Sequence, residues 1–383
     1  MRKPKVQFLI NSVDLPFTCI SYFFNVGMKD DSIRGISHLT EHIIIEELIK
    51  KESDLFQKNL INAYVDKEFT CFHATVMNED INETLIAFCH LFDCMDNELS
   101  KEIVESQKEI IFKIENERTL SNSQLINILL LEQLAFDGKV KKSTIVDETF
   151  LSLDERAIRE FCKQTYSSSL KYLIISGDVT INNEKKFYNE YKPIPIEKTH
   201  KLADEDEETI FVPIHKFEDL NDVRKTVAIV INSIESVDKY YALHIICLFY
   251  KIFINNALKN TEYFINDITF KLYSERPIIF FNYNKYYGGT ISLLRDFEME
   301  NCNELFENIK KHFIYGYLQK SCDLLNFNKE IYKVAHFFGK TLNFKNMVGL
   351  IKNVSFNDVI LMHQKILIGE YIFVSEGICN EHI

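Results

Sequence analysis

The strongest chemical pattern in the chain is the stretch Gly35-Ile36-Ser37-His38-Leu39-Thr40-Glu41-His42. Apolar residues recur at helical spacing from about residue 36 to residue 51 and predict a helix there. Residues four apart on a helix share a face, so His38 and His42 can present their imidazoles to one ion. Two neutral imidazoles suit Zn²⁺, and catalytic zinc usually takes three protein ligands and a water. Glu41 lies at the edge of that face, where it could act as the base toward this water.

A third protein ligand is needed, and a second helix is its predicted source. Helical spacing runs from residue 100 to about residue 136 and is interrupted near residues 121–123. Between residues 105 and 117 this helix carries the carboxylates Glu105, Glu109, Glu115 and Glu117. Spacing alone selects none of them, and on periodicity alone a solvated charged helix face is the better explanation of most of them. The residues alone therefore leave two interpretations of the motif open, a catalytic metal site and a pair of surface histidines.

Strand and helix signals occur in the same order on both sides of a linker-like segment. The first half predicts strands at residues 5–11, 17–26, 69–76 and 172–176, and helices at residues 36–51, 82–92, 100–136 and 154–164. The second half predicts strands at residues 226–232, around Tyr273 and at 289–294, and helices at residues 239–259 and 303–318. The segment of residues 187–211 contains two prolines and an acidic run, which is typical of a linker. We therefore predict an internal duplication of an α+β unit.

The bulk composition limits the class of protein. With 383 residues, of which 46% are hydrophobic and 26% are charged, the chain predicts a globular protein of about two domains. No apolar run approaches the roughly 18 residues of a membrane span, and the N-terminal segment lacks the roughly 7–15 apolar residues of a secretory signal. Nine Cys without a C-x-x-C pair favour a reducing compartment, so we expect a cytoplasmic protein. The net charge of −12 argues against nucleic acid as a partner, and it suits either a basic peptide or simple solubility.

Three segments carry a resemblance to a known family. Residues 24–42 resemble the active-site segment of the insulinase, pitrilysin and mitochondrial processing peptidase family, the inverzincins, in which a strand and a glycine-containing loop precede H-x-x-E-H. Residues 62–72 match most of a second family signature, Asn-Ala-x-Thr-x-x-Glu-x-Thr-x-Tyr, with Val65 and Phe72 as departures. Residues 166–179 are similar to the end of the family's first domain. Together these matches span almost the whole first half.

The resemblance implies a metal site and a substrate edge. It implies one Zn²⁺ per chain, bound by His38, His42 and Glu115, with Glu41 as the base. Glu115 is chosen because it aligns with the family's remaining ligand in the long helix. Family substrates lie as an added strand along a sheet edge. This implies that the substrate contacts are made by Asn62 and Ala63.

The resemblance also implies residues that support the ligands without binding the metal. The glutamate of the second signature is Glu68. The family has a further glutamate about two turns before its last ligand, but that position here is Lys108. Glu105 or Glu109 could replace its function, although neither falls in register, and we take Glu109 as the candidate.

The second half is similar to the family's partner domain, which lacks the metal. Residues 238–243 resemble the start of its first helix, and residues 286–291 resemble its glycine-led strand. In the family this domain often supplies an Arg and a Tyr, seven residues apart, that hold the substrate. Tyr273 fits the Tyr, but Asn266 stands at the Arg position and cannot supply a cationic fork. Either Asn266 suffices through hydrogen bonding or a separate chain supplies the pair. We favour the separate chain, and hence a dimer, a heterodimer with a homologous chain.

The resemblance therefore implies a fold and a function. The fold is α+β, with two homologous domains, each a mostly antiparallel sheet packed with helices. Residues 1–186 form the zinc-binding catalytic domain, residues 187–211 the linker, and residues 212–383 a non-metal domain that binds substrate and closes a chamber. The implied function is a zinc metalloendopeptidase that cleaves short or unfolded peptides, in peptide degradation or in the removal of a leader from a precursor. The alternative is a catalytically inactive peptide-binding or scaffold subunit of a heteromeric peptidase complex, which Lys108 and Asn266 favour.

Overall fold

The computed structural model describes residues 6–89, 91, 99–121, 148–179, 211–213, 226–231, 233–273, 277–285, 287, 289–299, 302–320 and 322–375. Their contacts divide the chain into two compact units. The first unit comprises the described residues of 6–117, 148–179 and 319–344, and the second comprises the other described residues. The predicted linker, apart from residue 211, and the predicted helix beyond residue 121 lie outside the described residues.

The first unit is built on a five-stranded sheet. Its strands are β1 (Val6–Ser12), β2 (Phe17–Phe24), β3 (Leu60–Val65), β4 (Thr70–Met77) and β5 (Lys171–Gly177). They lie in the order β1-β5-β2-β4-β3, and every neighbouring pair is antiparallel except β1 and β5. β3 is therefore an edge strand among the described strands.

Helices cover one face of this sheet. They are α1 (Ile36–Lys51), α2 (Ser53–Lys58), α3 (Ile81–Cys89), α4 (Lys101–Ser121), α5 (Glu148–Leu151) and α6 (Glu155–Gln164). Alternate strand residues such as Phe24 and Phe72 form one buried cluster with Leu39 and Ile43 of α1. The α1 helix spans the residues that the sequence predicted, because its periodicity is local and strong.

The second unit repeats the sheet of the first. Its strands are β6 (Phe211–Pro213), β7 (Thr226–Val230), β8 (Ile265–Lys271), β9 (Ile278–Tyr283) and β10 (Glu370–Ser375). They lie in the order β6-β10-β7-β9-β8, and only β6 and β10 are parallel. Order and direction match the first sheet strand for strand. The predicted α+β fold of two homologous, mostly antiparallel units is confirmed.

The helices after residue 230 are α7 (Val237–Ala257), α8 (Thr290–Arg295), α9 (Asn303–Lys320), α10 (Leu324–Phe338), α11 (Phe344–Asn353) and α12 (Phe356–Leu367). The α10 helix belongs to the first unit, although the predicted second domain of residues 212–383 contains it. It packs on β2 and β5, and the ring of Tyr332 stacks on Phe23 with centroids 4.5 Å apart. Asn328 donates hydrogen bonds to Cys19 O and Ser21 Oγ. Local periodicity could not reveal contacts between residues so far apart in sequence.

In the second half, one predicted strand is wrong, one is displaced along the chain, and one observed strand was not predicted. Residues 290–295 form α8 rather than a strand, because a short apolar run fits either element. The strand predicted around Tyr273 is β8, which ends at Lys271, and β9 was not predicted as a strand. None of the described helices is long and apolar enough to cross a membrane.

Candidate metal centre

A buried carboxylate fixes the start of α1. Gly35, directly before the helix, has a φ of 87°, a left-handed conformation that glycine adopts without strain. Asp31 accepts hydrogen bonds from the N–H of Gly35 at 2.8 Å and from the N–H of Ser37 at 3.1 Å. It thereby satisfies a free N–H group of the first helical turn. Burial raises the pKa of Asp31 to about 6.

The loop before α1 is attached to the turn between β3 and β4. A Cβ atom on Gly27 would lie 2.5 Å from the carbonyl oxygens of Asp66 and Lys67, so only glycine permits this approach. The ammonium of Lys29 pairs with the carboxylate of Glu68 at 3.1 Å, and Glu68 is buried. Glu68, predicted to support the metal ligands, thus connects this turn to the loop that leads into α1.

The three residues of the motif converge on α1. One ligand atom each of His38, Glu41 and His42 lies within 4.8 Å of the others. The two imidazole centroids are 5.0 Å apart with their planes at 73°. Glu41 is 5% exposed, and burial raises the pKa of its carboxyl group to about 7, partly opposed by the nearby His38. Two imidazoles at this separation suit Zn²⁺, and the carboxylate of Glu41 beside them is within reach of a water at the same place.

A residue that the sequence analysis missed orients the second histidine. Gln107 of α4 is 7% exposed, and its Oε1 lies 3.0 Å from Nδ1 of His42. An amide oxygen only accepts hydrogen bonds, so Nδ1 of His42 carries the proton and donates it. The other ring nitrogen, Nε2, then keeps its lone pair for a metal. The feature that could have identified Gln107 is its place on the buried side of α4, between the buried residues Val104 and Ile111.

Lys108, which stands where the resemblance implies a glutamate, has a structural role. Nζ of Lys108 donates hydrogen bonds to the carbonyl oxygens of Leu151 and Leu153 at 3.1 and 2.8 Å, and it pairs with Glu105 at 2.8 Å. Lys108 therefore holds α4 to the connection between α5 and α6. Glu109, the predicted support of the site, is exposed on the same helix. Glu115 also lies on α4, but its side chain is outside the described part of the structure.

The predicted substrate contacts lie on the edge strand β3. Asn62 is exposed and Ala63 is half-buried, and the N–H of Ala63 donates to Oδ1 of Asn62 at 2.8 Å. In the second unit, Tyr273 is buried two residues past β8. Asn266 is exposed at an irregularity of β8, where the register with β9 shifts.

Comparisons with known proteins agree with the fold. No family model matches the chain. The chain is 21% identical over 199 residues to an uncharacterized zinc protease, YmxG, of Bacillus subtilis (strain 168), which covers 48% of this chain and 47% of that protein. It is 24% identical over 173 residues to the chloroplastic stromal processing peptidase of Pisum sativum, which covers 43% of this chain and 13% of that protein. The chain thus spans less than half the length of these curated relatives.

Solved structures match the whole chain. A protease from Helicobacter pylori superposes with a TM-score of 0.66 at 11% identity, over 97% of this chain and 98% of that one. A putative M16-like peptidase from Alicyclobacillus acidocaldarius superposes with a TM-score of 0.64 at 15% identity, over 96% of each chain. The resemblance that the sequence motifs indicated is thereby confirmed. The chain has the fold of the M16-like peptidases, and part of it is similar in sequence to a zinc protease and a processing peptidase, in agreement with the resemblance to the insulinase, pitrilysin and mitochondrial processing peptidase family.

Proposed function

We propose that this chain is a zinc metalloendopeptidase that cleaves short or unfolded peptides, in peptide degradation or in leader removal. The observation that carries the proposal is the convergence of His38, Glu41 and His42 within 4.8 Å on one helix. Gln107 supports it, because an amide acceptor on Nδ1 of His42 leaves Nε2 free to bind a metal. A pair of surface histidines would need no such partner.

His38 and His42 would hold the ion, with Glu115 as the third ligand. Gln107 places one side of α4 against His42, and the buried positions Val104 and Ile111 share that side. At about 3.6 residues per turn, position 115 falls on the same side as position 111, one turn later. Position 117 falls well away from it. Measured from Gln107 itself, positions 115 and 117 lie equally far away, about 80° to opposite sides, so the preference for Glu115 rests on the side of Ile111 and on the family resemblance.

The chain's own residues would act as follows. Zinc in such a site supplies Lewis acidity, which polarises a peptide carbonyl and makes a nearby water more acidic. Glu41, beside the imidazole nitrogens, takes the proton of the attacking water and returns it to the nitrogen of the leaving amine. Burial of Glu41 excludes bulk water from this transfer.

The peptide substrate would add as a strand to β3. Among the described strands, this edge strand pairs only with β4, so its outer side is available to an added strand, whose backbone would supply the affinity with little demand on sequence. Closing the substrate chamber would require a second, homologous chain. That chain would supply an Arg–Tyr pair, because Asn266 lacks a cationic group, and we propose the assembly as a heterodimer.

Glu41→Gln tests the function directly. The purified chain, alone and mixed with a candidate partner chain, is loaded with Zn²⁺ and given an unstructured fluorogenic peptide. We expect about one zinc per chain and cleavage that Glu41→Gln abolishes while zinc stays bound. Glu52→Gln makes the same chemical change at an exposed position just after α1 and should cleave as the wild type does. A chain that binds no zinc and cleaves no peptide, with or without the partner, overturns the proposal.

One observation favours the second candidate, an inactive peptide-binding or scaffold subunit. Lys108, at a position where the family has a carboxylate, is committed to the carbonyl oxygens of Leu151 and Leu153. The zinc measurement and the cleavage assay separate the candidates. Peptide binding without cleavage, unchanged by Glu41→Gln, is the result that the inactive subunit predicts.

A further inference from the structure

The two faces of the edge strand β3 meet different surroundings. Ile61 and Ala63 pack against the hydrophobic cluster beneath α1. Because successive strand residues point to opposite faces, Leu60, Asn62 and Tyr64 project from the other face of the sheet. That face is the one on which α10 packs. Leu60 is 77% exposed and Asn62 is exposed, so this side of the edge is open to solvent at its first residues.

A cation from α10 lies over this side of β3. Nζ of Lys329 is 4.3 Å from the ring centroid of Tyr64, close enough for a cation–π contact. The side chain is half-buried, yet no carboxylate of the described residues comes within 4.0 Å of its Nζ. Lys29 and Lys108 of the same unit, in contrast, both pair with glutamates.

The two side chains beside Lys329, Tyr64 and His73, carry no negative charge. His73, on β4 opposite Asn62, is held neutral near pH 7, because burial and then the nearby Lys329 lower its pKa to about 4. Tyr64 contributes only the face of its ring, since its hydroxyl group is itself buried. A partly desolvated ammonium with an aromatic partner attracts an anion more strongly than a fully solvated lysine does.

We propose that Lys329 selects peptides with an acidic side chain at one position of the segment that adds to β3. An added strand places alternate side chains about 5 Å from Leu60, Asn62 and Tyr64, on the face where Lys329 lies. A glutamate at the position beside Tyr64 can reach Nζ of Lys329, whereas a lysine there meets a like charge. The net charge of −12 repels acidic peptides in general, so this preference would be local to one position. The inference rests on the proposed binding of peptides along β3.

The test measures binding to the zinc-loaded Glu41→Gln chain, which should hold peptides without cutting them. The probes are short Ala/Ser/Thr peptides in which one Glu is moved along the sequence, with matched sets that carry Gln or Lys. We expect one position at which Glu binds about three- to tenfold more tightly than Gln, as a partly exposed ion pair predicts. Lys329→Gln should remove this preference and leave the affinity for the Gln peptides unchanged. Lys329→Glu should reverse it in favour of Lys.

Controls separate this inference from the proposed function. Lys340→Gln changes an exposed lysine of the same unit and should keep the preference for Glu. Thermal unfolding shows whether each variant is folded. Two different substitutions at position 329 are used so that the test remains possible if one of them does not fold. The wild-type chain could bind and cut peptides without any charge preference, or the preference could survive Lys329→Gln. Either result would overturn the role of Lys329 and leave the proposed peptidase function standing. If no peptide binds at all, the inference falls together with the strand-addition proposal.

Discussion

Replacement of Gln107 by Ala should weaken zinc binding without unfolding the chain. The side chain of Gln107 accepts the hydrogen bond of His42 Nδ1 at 3.0 Å, and it comes from a different helix than the histidine. In Gln107→Ala that N–H loses its acceptor in a largely buried place. The imidazole can then rotate or take the other tautomer, in which Nε2 carries the proton and cannot bind the ion.

The size of the loss follows from two independent estimates. A buried donor left without an acceptor costs about 1–3 kcal/mol. Removal of the partner that orients a ligating histidine typically lowers metal affinity about 10–100-fold, which corresponds to about 1.4–2.8 kcal/mol. The estimates agree, so we expect a loss of one to two orders of magnitude. Gln107→Glu keeps an acceptor and adds a negative charge, and should bind zinc at least as tightly as the wild type.

Competition with a chromophoric chelator at fixed pH measures the affinity, and circular dichroism confirms that each variant is folded. Glu102→Ala, at an exposed position in the first turn of α4, is the matched control and should bind zinc normally. Glu109→Ala tests the other candidate support of the site. Because Glu109 is exposed, we expect only a small effect on zinc affinity. An affinity of Gln107→Ala within twofold of the wild type refutes the reasoning. So does a loss in Glu109→Ala as large as that in Gln107→Ala.

Three further substitutions test how the site is held. Lys108→Met should lower the free energy of unfolding by about 1–3 kcal/mol in urea titration, because two carbonyl oxygens lose their donor, while zinc affinity stays near that of the wild type. Gly27→Ala should cost about 1–3 kcal/mol, because its Cβ would lie 2.5 Å from the carbonyl oxygen of Asp66; a normal melting temperature contradicts this close approach. Asp31 should make the chain less stable as the pH rises from about 4 to about 6. Burial raises its pKa from 3.8 to about 6, so the folded state binds more protons than the unfolded state in this interval, worth at most about 3 kcal/mol. Urea titrations at several pH values should show a flatter dependence for Asp31→Asn, and an unchanged slope contradicts the assignment.

The parts that sequence predicted are those specified by local pattern. The α1 helix was predicted at its observed bounds, and the pairing of His38 with His42 follows from helix geometry alone. The prediction that Asn62 lies on a sheet edge came from the family signature and not from the pattern of the residues around it. Where a short apolar run fits a strand or a helix equally, as at residues 290–295, local pattern gave the wrong element.

The parts that sequence could not predict depend on contacts between distant residues. The place of α10 in the first unit rests on Asn328, which donates to Cys19 O and Ser21 Oγ more than 300 residues away and accepts from Ser176 Oγ. Gln107 was not predicted because the family resemblance implies a carboxylate as the support on α4, whereas an amide oxygen accepts a hydrogen bond equally well. The position of Lys329 over Tyr64 is a consequence of the same packing of α10.

A comparison of the two sheets shows that the strand edge belongs to the fold, whereas the H-x-x-E-H residues belong to the first unit. Both have the same strand order and directions, and each has an open edge among its described strands, β3 in one and β8 in the other. The third, sixth and seventh residues of α1 are the predicted zinc ligands His38 and His42 and the predicted base Glu41, whereas the corresponding residues of α7 are Lys239, Ala242 and Leu243, which include no imidazole or carboxylate. The duplicated fold therefore preserves a strand edge without preserving the H-x-x-E-H residues. Peptide binding along an edge could persist in a chain that has lost catalysis, so similarity of fold cannot decide between an active peptidase and a binding subunit. Zinc stoichiometry and the effect of Glu41→Gln on cleavage decide it, because both depend on the three side chains that only the first copy carries.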